Sequence, residues 1–133
     1  MIGKIHHIGI AVNDIESGLA LYSAGLGIEC KHKETVAAQK VNTAMLPVGD
    51  TRIELLEPTE ADSAVGKFLE KKGPGVHHIA LEVQDIEAAL AELKAKGIPL
   101  IDQEPRTGVG GTRVAFLHPK GTMGVLLELV QNP

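Results

Sequence analysis

The sequence predicts an α+β fold of two tandem βαβββ modules, and three observations point there. First, residues 5–24 and 76–95 share one pattern, with His6/His77, His7/His78, Ile8/Ile79, Val12/Val83, Asp14/Asp85, Ile15/Ile86, Glu16/Glu87 and Leu19/Leu90 in matching order. Such self-similarity marks a duplicated unit. Second, each copy passes from period-two alternation to apolar residues three and four apart, as a strand feeding a helix does. Third, each copy closes on an alternating segment with a carboxylate in the same register, Arg52-Ile53-Glu54-Leu55-Leu56 and Leu126-Leu127-Glu128-Leu129-Val130.

The first module, about 4–58, opens with a strand over residues 5–12. Its helix is capped by Asn13 or Asp14, buries Ile15, Leu19 and Tyr22, and stops at Gly27. Strands over 28–34, 41–48 and 52–57 follow, the last two joined at Gly49-Asp50. A linking helix over 60–72 and the joint Gly73-Pro74-Gly75 lead into the second module, about 75–131. There the strand is 76–83, Asp85 caps a helix burying Ile86, Leu90 and Leu93, Gly97 stops it, and strands are expected over 99–102, 113–118 and 124–130. One four-stranded sheet of this size buries too little alone. The two are therefore expected to form one domain over 1–133, a partly open eight-stranded barrel-like sheet around a metal cleft with helices outside.

Composition bounds the function. The chain of 133 residues is 44% hydrophobic but only 2% aromatic, so its core must be aliphatic. A net charge of -4 without long runs of like charge lacks the basic footprint of a nucleic-acid binder. No apolar run approaches the roughly 20 residues of a membrane span, and Met1-Ile2-Gly3-Lys4 lacks a signal-peptide pattern, so a cytoplasmic location is expected. Cys30 is the single cysteine, which rules out an internal disulfide and reads as a small buried hydrophobe.

Strand alternation then selects the candidate site. His7, Gly9 and Ala11 share one face while Ile8, Ile10 and Val12 share the other, and His78 and Ala80 repeat this against Ile79, Leu81 and Val83. The aliphatic faces must pack on the helices, which turns His7 and His78 toward the cleft beside small residues. Glu54 and Glu128 point the same way, because Ile53/Leu55 and Leu127/Leu129 claim the core side. A lone carboxylate among Leu126 and Val130 would be costly without a positive partner. Two imidazoles and two carboxylates make an N2O2 site for one divalent metal ion, with Co, Zn, Mn, Ni and Mg all compatible. His6 and His77 read as structural residues on the helix-packed face, and Glu57, Glu60 and Asp62 as solvated or helix-starting groups. Arg106, Arg113 and Lys120 border Gly108-Val109-Gly110-Gly111 and are the candidate cations for an anionic substrate.

The His-His-Ile-x-Ile-Ala-Val start, the repeat and the terminal Gly-Val-Leu-Leu-Glu-Leu resemble the vicinal oxygen chelate superfamily. Within it, Glu57-Pro58-Thr59, the run Asp62 to Leu69, Gly75-Val76-His77-His78-Ile79-Ala80 and Phe116-Leu117-His118-Pro119-Lys120 are similar to the methylmalonyl-CoA epimerases. The resemblance implies metal ligands at His7, Glu54, His78 and Glu128, an acyl-CoA thioester substrate, and a homodimer. It also implies epimerisation between the 2R and 2S forms through a metal-stabilised enediolate, with Glu128 and Glu54 as the candidate catalytic carboxylates. Some members place Gln where Glu54 stands and a proposed base where this chain has Thr43, so it is by this chain's own residues that Glu54 is expected to take that role, no other carboxylate lying within 41–48. Two rival readings are a glyoxalase I, which uses a similar ligand set, and a non-catalytic ligand-binding or resistance module of the same superfamily.

Overall fold

A computed structural model describes residues 1–133. Two βαβββ modules are present, with eight strands and three α-helices in the order β1 (Ile2–Ala11), α1 (Ile15–Leu19), β2 (His32–Val36), β3 (Val41–Val48), β4 (Thr51–Pro58), α2 (Ala64–Lys72), β5 (Gly75–Val83), α3 (Ile86–Ala95), β6 (Arg106–Thr107), β7 (Arg113–Phe116) and β8 (Leu127–Gln131). The chain divides into two compact units: His7–His77, and His78–Pro133 together with Met1–His6.

In the first unit the strand order is β2-β3-β4-β1. β1 lies parallel to β4, with Gly9 opposite Glu54, while β2, β3 and β4 run antiparallel in turn. Asp14, not Asn13, caps α1 by accepting the Ser17 N–H at 2.8 Å, and that hydrogen bond holds its carboxyl below the ordinary 3.8. The helix continues as a π-helical segment, Ala20–Gly25, before Gly27 turns the chain at a φ of 78°. Ile15 packs with Ala44, Leu46 and Leu55, and with Ile10, Leu19 and Tyr22 at the margin. Full burial of one such side chain contributes about 1.5 to 3 kcal/mol.

The second unit repeats the plan in the order β5-β8-β7-β6, with β5 parallel to β8 and the rest antiparallel. Asp85 caps α3 through the Ala88 N–H at 3.0 Å. Ile86, Leu90 and Leu93 join Val83, Ala115, Leu117 and Leu129 in an aliphatic core. Residues from the chain start belong here too: the ring Nε2 of His6 lies 3.0 Å from Asn132 Oδ1, and Asn132 donates to Glu82 at 2.9 Å.

Several boundaries differ from expectation. The strand expected over 28–34 forms at His32–Val36, because Ile28 and Cys30 pack under α1 as non-strand chain. Residues 99–102 give only a single bridge, Leu100 to Leu117, and the short strand is Arg106–Thr107 instead. The last strand starts at Leu127, because Gly124 takes a φ of 87° and Thr122 accepts and donates within the preceding turns. The linking helix begins at Ala64 rather than residue 60: Ser63 caps it by accepting the Gly66 N–H while its hydroxyl donates to the Glu60 carbonyl. No helix is long and apolar enough to cross a membrane.

Candidate functional site

Each unit carries one buried His–Glu pair on the sheet face away from its helix. In the first unit His7 Nε2 stands 3.3 Å from Glu54 Oε1, and both side chains are about 5% exposed. β1 and β4 deliver them because Ile10, Ile53 and Leu55 are taken by the helix-side core, leaving the alternate residues for the other face. Gly9, in register with Glu54, puts no side chain between them. In the second unit His78 Nε2 stands 3.2 Å from Glu128 Oε1, equally buried. Ala80 takes the place of Gly9, in register with Glu128, and packs with Val114 and Val130. The four residues selected by alternation are thus placed as two equivalent pairs.

A neutral imidazole nitrogen and a carboxylate oxygen both present lone pairs. At 3.2 to 3.3 Å in a dry setting two facing lone pairs would be costly, so each imidazole nitrogen either donates its ring N–H to the carboxylate or shares a cation with it. Each pair brings together an imidazole nitrogen and a carboxylate oxygen, donor types that suit a divalent metal ion.

The surroundings of the second pair tie it to one of the candidate cations. The Phe116 ring meets His78 edge-on at 5.5 Å, and the Arg106 guanidinium lies over the same ring at 5.6 Å. Asp102 fixes both, bonding Arg106 Nε at 3.2 Å and accepting the Phe116 N–H at 2.9 Å. Arg113 lies elsewhere: it shares the helix side of β7 with Ala115 and reaches Glu87 of α3 at 3.4 Å. Lys120 is exposed, its backbone N–H bonded to His118 Nδ1 at 3.1 Å.

Other sequence readings are amended. Glu57 is neither solvated nor helix-starting by its own position; it reaches back to accept the Ile15 N–H at 3.0 Å and the Asn42 amide at 2.9 Å. Gln131 does the same for Ile86 at 2.8 Å. Glu60 and Asp62 pair with Lys40 at 3.1 and 3.7 Å and raise the pKa of its ammonium, the Glu60 hydrogen bond most. Cys30 is half-buried rather than buried. His6 is structural as expected, and His77 packs edge-on to Phe68 of α2 at 5.1 Å.

One pair of polar residues escaped the sequence reading. On β2, Glu34 is the register partner of Thr43 and His32 that of Met45, while Met45 is the partner of Glu54. All five therefore share one sheet face, and His32 Nε2 lies 2.8 Å from Glu34 Oε1. The signal was available in the alternation His32-Lys33-Glu34, but the strand carrying it starts four residues later than its apolar residues suggest.

Comparison with known proteins adds a consistent picture. The model of the glyoxalase/bleomycin resistance protein/dioxygenase superfamily matches residues 6–116. YqjC, an uncharacterized protein of Bacillus subtilis, is 44% identical over 130 residues, spanning 98% of this chain and 93% of its own. The ethylmalonyl-CoA/methylmalonyl-CoA epimerase of Cereibacter sphaeroides is 41% identical over 133 residues, spanning 98% of this chain and 99% of its own. Among solved structures, a methylmalonyl-CoA epimerase in complex with methylmalonyl-CoA and NH4+ is 44% identical with a TM-score of 0.94, covering 99% of this chain and 96% of the other.

Proposed function

We propose that this chain, which belongs to the glyoxalase/bleomycin resistance protein/dioxygenase superfamily, interconverts the 2R and 2S forms of methylmalonyl-CoA. The observation that carries the reading is the twofold recurrence of a buried His–Glu pair at equivalent strand positions. Full-length similarity to proteins named as ethylmalonyl-CoA/methylmalonyl-CoA and methylmalonyl-CoA epimerases supports it and directs the choice of substrate.

In this reading His7, Glu54, His78 and Glu128 together hold one divalent metal ion. When bound, such an ion supplies Lewis-acid stabilisation of the charge that develops on the substrate oxygens, worth several kcal/mol. The side chains do the rest. Glu54 and Glu128 are the carboxylates assigned to moving the C2 proton, a role worth roughly 10² to 10⁴ in rate. Gly9 and Ala80 keep the flanking positions free of bulk. Arg106, braced by Asp102 over Phe116, is the cation assigned to an anionic group of the substrate, with Lys120 available at the exposed rim. Arg113 has the weakest claim, being engaged by Glu87. The working form is assigned as a cytoplasmic homodimer.

Incubation with each methylmalonyl-CoA epimer in D2O tests the assignment. Deuterium is expected at C2 with conversion between epimers, in step with stoichiometric metal. Formation of S-lactoylglutathione from the glutathione hemithioacetal, without exchange into methylmalonyl-CoA, would sink it in favour of a glyoxalase. Ligand retention without turnover of any thioester would favour a binding module.

A further inference from the structure

Epimerisation needs a proton carrier on each face of a planar intermediate, and both carboxylates assigned above also hold the metal, whose charge lowers their basicity without removing it. A carboxylate outside the ligand set is the stronger base, so a second one on the same sheet face would serve the first unit better than Glu54. On the face of the first unit's sheet that carries His7 and Glu54, the carboxylates are Glu54 and Glu34. Glu34 stands across the strand from Thr43, whose hydroxyl donates to the Glu34 carbonyl at 3.0 Å and fixes that pairing. Its side chain is 31% exposed and hydrogen-bonded to His32, itself half exposed at 50%. That arrangement suits a group that must gain and lose a proton in every turnover: one oxygen is anchored, and the imidazole connects it to bulk water.

Resting on the epimerase reading above, we infer that Glu34 is the proton carrier contributed by the first unit, taking over that part of the role assigned to Glu54. As the C2–H bond of one epimer breaks, the proton passes to the Glu34 carboxylate and the electron pair moves into the thioester carbonyl to give the enolate. Glu128 delivers a proton to the other face, forming the new C2–H bond. In the reverse direction the two exchange roles, and no redox partner is involved. His32 positions Glu34 and returns its proton to solvent.

The experiment follows C2 hydrogen exchange in D2O from each epimer separately, with metal content measured alongside, for the wild type, Glu34→Gln, and Glu34→Gln combined with Thr43→Glu. Glu34→Gln is expected to keep its metal, to lose epimerisation by about 10² to 10⁴, and to retain exchange without inversion from one epimer while losing it from the other. Thr43→Glu, which restores a carboxylate one strand nearer Glu54, is expected to recover part of the inversion. The inference is overturned if Glu34→Gln epimerises within threefold of wild type, or if exchange from both epimers falls together, as a purely structural role would give. Wild type that exchanges neither epimer would instead defeat the epimerase reading, and this inference with it.

Discussion

Gln131 Oε1 accepts the first backbone N–H of α3, from Ile86, at 2.8 Å, and Glu57 Oε2 does the same for Ile15 of α1 at 3.0 Å. Each lies three residues beyond the carboxylate of a buried His–Glu pair, so the strand that presents a site residue on one face ties down the helix on the other. A helix leaves its first N–H groups without partners inside the helix, and these side chains supply one that the Asp caps do not. Gln131→Ala is expected to lower stability by about 1 kcal/mol, read as a shift in urea midpoint at unchanged slope. Gln131→Glu, which keeps the acceptor and adds charge at a helix N-terminus, is expected to hold or raise it.

Gly66 occupies the first turn of α2 with backbone pressed against it. A Cβ built there would meet the Ala61 carbonyl oxygen at 2.5 Å and that of Glu60 at 2.8 Å, and neither can swing aside as a side chain would. Gly66→Ala is expected to destabilise the protein by about 1 to 3 kcal/mol despite alanine's better helix propensity. A thermal midpoint equal to wild type would contradict this.

Asp14 couples stability to acid. Its folded pKa lies below the ordinary 3.8, chiefly because the Ser17 N–H bonds the ionised form. The unfolded chain therefore takes up a proton first, so this contribution is complete above 3.8 and disappears as pH falls through the lower folded value. Asn accepts the same hydrogen bond without titrating. The difference in urea midpoint between wild type and Asp14→Asn should thus shrink on acidification below that value, and a difference constant with pH would refute it.

Metal should act as a stabilising ligand of the folded chain. Anything that binds the native state alone adds RT ln(1 + [L]/Kd), about 2.7 kcal/mol at a hundredfold excess over Kd. Chelation is expected to lower the thermal midpoint of wild type and leave His7→Ala or His78→Ala unmoved. Equal chelator shifts in wild type and both variants would show that the ion binds elsewhere.

Much of this architecture could be read in advance because it rests on local, repeated signals. Alternation along β1, β4, β5 and β8 separated His7, Glu54, His78 and Glu128 from the aliphatic residues that fill the cores. Asp14 and Asp85 announced both helices, and the β3 bounds matched throughout. What stayed hidden depends on longer range. Ile28 and Cys30 alternate like strand residues but pack under α1 from irregular chain, where tertiary contact overrides pattern. Arg106–Thr107 is too short and polar to carry any period. Glu57 and Gln131 look like ordinary polar strand ends until the fold brings a helix start to each, although the register linking Glu54 to Glu128 also links these two. The Asp102–Arg106–Phe116 arrangement depends on a pairing between segments that no periodicity announces.

Six residues at the very start of the chain are grouped with the later half, where His6 meets Asn132. A gene severed at Gly73 would therefore not release two self-sufficient pieces, because the downstream product would lack the segment that finishes it. The two halves are bound to a shared fate by that borrowed segment, and a change near the amino terminus is answerable at the far end of the sequence.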